Sequence, residues 1–161
     1  MLFRSKIVIG RDARMSGEMV SQLVIQTLVG LGAEVIDLGL STTPTVEMTV
    51  VFEQAAGGII LTASHNPKEW NALKLLNDKG EFISAEEGKK VLALAESEMI
   101  TFVAVDQLGS VSSNNRSLHQ HIDAIGAHPF VKKDAIKKRN FKIVIDAINS
   151  SGAFAVPELL K

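Results

Sequence analysis

Apolar and polar positions fall in blocks along this chain, and the period of the blocks switches between that of a strand and that of a helix. Ile7-Val8-Ile9 is continuously apolar, as expected of a strand covered on both faces, and predicts a first strand over residues 6–10. Met19, Val20, Leu23, Val24, Leu28 and Leu31 then recur at helical spacing, with Ser16 placed to cap the helix, Glu18 in its first turn and Gly32 at its end. Residues 34–38 read as a second strand, which completes a β-α-β unit with a right-handed crossover. Thr43-Pro44 opens the next helix, whose inner side is Val46, Val50, Val51 and Ala55, and Gly57-Gly58 ends it.

A third strand, Ile59 to Leu61, stops abruptly at Thr62-Ala63-Ser64-His65-Asn66-Pro67. Residues 73–76 and 80–83 then read as a hairpin around Asn77-Asp78-Lys79, with Gly80 able to take a positive φ. Ser84 and Glu87 form a capping box for a helix running to about Glu98, with Val91, Leu92 and Ala95 toward its core. The order β-α-β-α-β-loop-β-β-α predicts an α/β fold, a three-layer α/β/α sandwich with a mixed, mostly parallel sheet. The serine loop leaves the C-terminal end of the third strand, the edge where open α/β sheets place their ligands.

Beyond residue 100 the pattern weakens. Gly109-Ser110-Val111-Ser112-Ser113-Asn114-Asn115 reads as a flexible connection, and short amphipathic helices separated by Pro129 follow. Residues 141–147 read as a new strand and residues 152–160 as a new helix. The expected organisation is a first domain over 1–100, a helical connection over 101–139, and the first strand and helix of a second, incomplete domain over 140–161.

With 161 residues, 46% apolar and 22% charged, the chain suits a soluble globular domain with part of another. A formal net charge of −1 supplies no general attraction to nucleic acid or acidic membranes. The run Lys132, Lys133, Lys137, Lys138 and Arg139 has no interleaved aromatic partners and reads as a solvated face. No cysteine is present, which excludes a disulfide framework and a thiolate zinc site. No apolar stretch suits a leader or a membrane span, so the cytoplasm is the default address.

The chemistry concentrates around Ser64. Pro67 biases Asn66 away from the helical region, which places Ser64 on an exposed, extended segment. Such a Ser-His-Asn-Pro run also reads as plain turn chemistry. On an extended segment neighbouring side chains diverge, so His65 is not expected to reach the Ser64 hydroxyl, and no G-x-S-x-G elbow suggests a hydrolase. Alternation along residues 72–76 puts Lys74 on one face with Ala72 and Leu76, and a lysine inside an apolar strand calls for an anion or a polar cleft. In Gly10-Arg11-Asp12-Ala13-Arg14-Met15-Ser16-Gly17, which lacks nucleotide-loop spacing, Arg14 or Arg11 is placed to offset phosphate charge near the serine loop, or both are surface arginines beside a helix.

Thr62-Ala63-Ser64-His65-Asn66-Pro67, followed by Asn71 and Lys74, resembles the active-site serine loop of the α-D-phosphohexomutase superfamily, which includes phosphoglucomutases, phosphomannomutases and phosphoglucosamine mutases. Residues 8–16, 37–45 and 142–152 resemble further stretches of the same family in the same order. The resemblance implies that residues 1–100 are the family's first domain and that Ser64, carried as phosphoserine, is the phosphoryl carrier. It would pass its phosphoryl group to a hexose phosphate and recover one from the hexose bisphosphate after that intermediate reorients. It also implies that a phosphate oxygen on Ser64 is one ligand to Mg²⁺, that Lys74 serves proton transfer or cationic support, that Arg14 is favoured over Arg11 as a phosphate contact, and that His65 and Asn66 shape the loop or bind phosphate.

Trp70 and Ala72 depart from the family's commoner residues. The sequence also lacks the family's Asp-Gly-Asp-x-Asp-Arg metal loop, its sugar loop, its C-terminal phosphate loop and its upstream Gly-Thr-x-Gly-x-Arg-Gly segment. The remaining mutase domains are therefore expected to be missing, and the chain alone is expected to fold its first domain without mutase activity. The other reading is a non-catalytic phosphosugar-binding or interaction module; a flavodoxin-like nucleotide binder has only the α/β pattern in its favour.

Overall fold

A computed structural model describes residues 5–97 and 99–161. Its centre is a five-stranded sheet built from β1 (Lys6–Arg11), β2 (Glu34–Leu40), β3 (Gly57–Leu61), β4 (Leu73–Leu76) and β5 (Ser110–Ser113), in the order β4-β3-β1-β2-β5. Only β4 runs antiparallel, alongside β3, so the sheet is mixed and mostly parallel. Helices α1 (Gly17–Gly30) and α2 (Thr43–Phe52) cover its two faces. Alternation along the strands explains why both faces are apolar. Val8, Ile36 and Ile60 point to the α2 side with Val46 and Val50, while Ile9, Val35 and Leu61 point to the α1 side with Ile25. The continuous Ile-Val-Ile run is what a two-sided core requires.

Several expectations meet a different packing. In α1 the buried ridge is Gly17, Ser21 and Ile25, whereas Met19 and Leu23 are exposed. Val20, Val24 and Leu28 of the expected stripe do pack against the α1-side core, while Gly17 and Ser21, buried with them, carry no apolar signal to announce them. Ser16 precedes α1 without making a side-chain cap bond. The cap of α2 is Thr42, one residue earlier than expected, its hydroxyl accepting from the Thr45 amide at 3.3 Å. Val46 and Val50 are fully buried as expected, but Val51 is exposed.

Gly80 adopts φ +75° in the turn after β4, and a Cβ there would collide with the Glu47 carbonyl oxygen. The returning arm of the hairpin makes a single bridge, Leu76 to Phe82. The capping box of Ser84 and Glu87 is present at α3 (Ala85–Glu96), but no residue of that helix is buried, so Val91, Leu92 and Ala95 face no core among the described residues. Glu98 lies outside the described residues.

The region expected as a helical connection contains β5, which pairs with β2 and closes that edge of the sheet. Its Ser-Val-Ser-Ser sequence carries too little apolar periodicity to announce a strand; an edge position needs less of it. Residues 141–147 form no strand, and Phe141, Ile143 and Val144 stand exposed, because no described neighbour offers them backbone partners. After β5 come α4 (Ser117–Ala127), α5 (Lys133–Lys138) and α6 (Gly152–Leu159). Among the described residues no helix is long and apolar enough to cross a membrane.

Helix α4 docks on α2 through a polar contact at the foot of the core. Thr45 is 1% exposed, and its hydroxyl lies 2.7 Å from Thr42 Oγ1 and 3.0 Å from His121 Nδ1. Burial holds the His121 pKa below its ordinary value of 6.5. The folded chain thus resists a proton that the unfolded chain accepts, so the stability from this contact is complete above that value and is lost as pH falls through and below it. Thermal unfolding followed from about pH 7.5 to about pH 5.5 should show a fall in Tm that His121→Gln flattens; equal slopes would contradict the assignment.

Candidate active site

The site grows from the parallel register of β1 and β3. Arg11 stands beside Leu61, so the residues that follow, Asp12 and Thr62, leave the sheet together at its C-terminal edge. The Asp12 amide donates to the Leu61 carbonyl at 3.0 Å, which keeps the two exits in contact. From there β3 continues into the serine loop, and the chain returns through Ala72, whose carbonyl accepts from the Thr62 amide at 3.0 Å. The loop is thus pinned at its base to two strands.

Ser64 is exposed at the tip of a turn closed by the Asn66 amide on the Ala63 carbonyl at 3.0 Å. Its φ is +53°, in the left-handed region that a residue with a Cβ seldom enters. This corrects the extended segment expected from Pro67. It also corrects the inference about His65. With Ser64 left-handed the two side chains turn to the same side, and His65 Nδ1 lies 3.5 Å from Ser64 Oγ, a long contact.

The loop holds that shape because Arg14 grips it from inside. Nη1 donates to the carbonyls of Pro67 at 2.8 Å and Trp70 at 2.9 Å, and Nη2 donates to those of Ser64 at 2.8 Å and Asn66 at 2.9 Å. The planar fork of a guanidinium suits four converging carbonyls, which an ammonium could not match. Nε lies 3.4 Å from Asp12 Oδ2, close enough for charge pairing although not in hydrogen-bond geometry. Asn71 adds a further tie, donating from Nδ2 to Ser16 Oγ at 3.2 Å and accepting the Ala72 amide at 3.0 Å.

Against the loop opens a cleft of 370 Å³, within the roughly 300–1,000 Å³ usual for small-molecule sites. Its walls are residues 12–15 after β1, Ser64, His65, Asn66 and Lys68 on the serine loop, and residues 148–150 before α6.

Residues 2–101 match the family model described as phosphoglucomutase/phosphomannomutase, alpha/beta/alpha domain I. The chain belongs to the phosphoglucomutase/phosphomannomutase family. A phosphoglucomutase/phosphomannomutase of Thermococcus kodakarensis is 35% identical over 158 residues, which are 98% of this chain and 34% of that protein. A phosphoglucosamine/phosphogalactosamine mutase of Sulfurisphaera tokodaii is 34% identical over 154 residues, 95% of this chain and 33% of that one. The chain therefore spans about a third of the length of these curated relatives. A phosphoglucomutase/phosphomannomutase family protein of Burkholderia thailandensis shares the fold, with a TM-score of 0.63 at 21% identity over 75% of this chain and 27% of its own.

In this family member the structure brings Ser64, His65, Asn66 and Arg14 together at one cleft. Arg14, expected as a phosphate contact, instead spends both terminal nitrogens on loop carbonyls, because those carbonyls converge on it. Arg11 turns to Glu18, 3.6 Å away, and does not line the cleft. Lys74 does not line it either. Its Nζ sits 5.6 Å from the centre of the Phe82 ring, which gives the ammonium of a half-buried strand residue a π face in place of an anion.

Sequence reasoning missed Asp12, Thr62 and Lys68 as members of the site. For Asp12 and Thr62 the signal was available, since each is the first polar residue after a buried parallel strand and the two strands are neighbours. Among the described residues no group of three or more His, Cys, Asp or Glu side chains gathers around a point that could hold a metal ion.

Proposed function

We propose that this chain is the phosphoserine-bearing part of a mutase that interconverts hexose 1-phosphate and hexose 6-phosphate. The observation that carries the reading is Ser64 itself, an exposed hydroxyl fixed in a disfavoured conformation at the ligand edge of an α/β sheet, facing a cleft of small-molecule size. Backbone held out of its preferred region marks positions where geometry serves function. The relatives' names, which are those of mutases acting on hexose and hexosamine phosphates, agree with it.

In the proposed step the bond from Ser64 Oγ to phosphorus breaks while the bond from a sugar hydroxyl oxygen to phosphorus forms; the sugar hydroxyl proton passes to a base, and Oγ takes up a proton as it leaves, which restores the serine hydroxyl. Transfer of this kind depends on positioning and on stabilisation of spread negative charge. The imidazole of His65, in contact with Oγ, is the titratable group already at the reacting atom. Lys68 supplies a cation on the same wall. Lys74 can join only by leaving the Phe82 ring. Residues 1–100 are proposed as the phosphoserine domain, with further mutase domains supplying the remaining walls of the site and any carboxylates for Mg²⁺.

Incubating the full-length protein with a hexose 1,6-bisphosphate tests this. Intact-mass measurement should show a gain of a single phosphoryl group that a hexose monophosphate then removes. A protein whose mass neither rises with the bisphosphate nor falls with a hexose monophosphate would not be a phosphoryl carrier, which would favour a non-catalytic module.

A further inference from the structure

We propose that Thr62 and Asp12 are positioning residues that hold Ser64 in its reactive conformation; the inference rests on Ser64 being the phosphoryl carrier. A serine at φ +53° relaxes to a commoner conformation unless its surroundings fix it, so something must restrain both sides of the residue. Its two backbone polar groups are restrained by different partners. The Ser64 amide donates to Thr62 Oγ1 at 3.2 Å, and the Ser64 carbonyl accepts from Arg14 Nη2 at 2.8 Å.

Both partners lead to the same carboxylate. The Thr62 hydroxyl donates to Asp12 Oδ2 at 2.7 Å, which directs its lone pair toward the Ser64 amide and fixes the hydroxyl's otherwise free rotation. Asp12 Oδ1 accepts from the Arg14 amide at 3.0 Å, and Oδ2 lies 3.4 Å from Arg14 Nε. A single aspartate therefore orients the donor that grips one side of Ser64 and the acceptor that grips the other. Thr62 is 8% exposed and does not line the cleft, so it can influence transfer only by where it puts Ser64. The register that sets Arg11 beside Leu61 makes this possible, because it delivers Asp12 and Thr62 side by side at the end of the sheet.

Two substitutions in the full-length protein separate positioning from mere packing. Thr62→Val keeps the shape and loses the hydroxyl, while Thr62→Ser keeps the hydroxyl and loses a methyl group. The rate of phosphoryl uptake on Ser64 from a hexose 1,6-bisphosphate should fall about 10- to 100-fold in Thr62→Val, the scale of a misplacement near 1 Å. In Thr62→Ser it should stay within about threefold of the unsubstituted protein, and KM for hexose phosphate should change little in either variant, because Thr62 does not line the cleft. Asp12→Asn, which weakens the acceptor at constant volume, should slow uptake in the same sense and serves if Thr62→Val does not fold. Uptake by Thr62→Val at the unsubstituted rate, or equal losses in the valine and serine variants, overturns the pair while leaving the carrier intact. If the unsubstituted protein takes up no phosphoryl group at Ser64, the carrier reading fails first and the pair with it.

Discussion

Replacing Arg14 by methionine is expected to unlatch the serine loop and to lower stability by about 3 kcal/mol, the scale for removing one partner of a largely buried charge pair. The loss is smaller than the sum of four hydrogen bonds, because the loop carbonyls lie at the surface and water takes over from the guanidinium. It is larger than that of an exposed ion pair, because Arg14 is only 12% exposed and Asp12 18%, and Asp12 would be left without its cation. Arg14→Lys should recover only part of the loss, since three divergent N–H groups on a flexible stem cannot meet four carbonyls. Chemical denaturation gives the stability, and hydrogen exchange gives the place. The amides of Asn66 and Trp70, now bonded to the Ala63 and Pro67 carbonyls, should lose protection in Arg14→Met while those of β1 and β3 keep theirs. Unchanged protection at Asn66 and Trp70 would mean that the loop holds its shape without Arg14.

If Ser64 is the phosphoryl carrier as proposed, Ser64→Ala in the full-length protein is expected to reduce interconversion of hexose 1-phosphate and hexose 6-phosphate by at least about 10³-fold, since the accepting oxygen is then gone. Stability should respond differently. Alanine retains the β-carbon that makes φ +53° unfavourable, whereas Ser64→Gly relieves it and should raise stability by about 1 kcal/mol. A variant more stable than the parent and without activity is the signature of strain held at a working residue. Coupled assays of isomerisation and thermal melts of the two variants check both halves. Activity surviving in Ser64→Ala would remove the serine from the mechanism.

The sheet was legible in the sequence because its strands are the simplest pattern in the chain. Ile7-Val8-Ile9 and Ile59-Ile60-Leu61 have apolar side chains on both faces, and only a sheet covered by helices on two sides accommodates that. Strand β5 and the inner ridge of α1 were hidden for opposite reasons. The first is an edge with almost no apolar content, and the second includes Gly17 and Ser21, which are buried along with the packed Val20, Val24 and Leu28 but leave no hydrophobic mark. Residues 141–147 show the converse, an apolar run without a described partner to pair with.

Within the site, the letters of the serine loop pointed to an exposed loop at the sheet's C-terminal edge, which the fold has, but to a different local geometry from the one observed. Pro67 does restrict Asn66, yet the conformation of Ser64 is decided by Arg14 and Thr62, from positions 50 and 2 residues away along the chain. Contacts across that separation leave no periodic trace, so the left-handed turn, and with it the approach of His65 to Oγ, could only be seen in the fold. The same convergence of carbonyls explains why Arg14 holds the loop, where its charge and the family resemblance suggested a phosphate contact. Lys74 is the clearest case of an alternation argument that found the correct face and not the correct partner. It lies on the same side of the sheet as Leu76, but an aromatic ring, and not the cleft, receives its ammonium.

The most direct test is to locate the phosphate. Full-length protein exposed to a hexose 1,6-bisphosphate, digested and sequenced by fragment mass, should carry its added phosphoryl group on the peptide containing Ala63-Ser64-His65, at the serine oxygen. A phosphate found on another residue of the cleft, such as His65 or Ser150, or no phosphopeptide at all, would contradict the account.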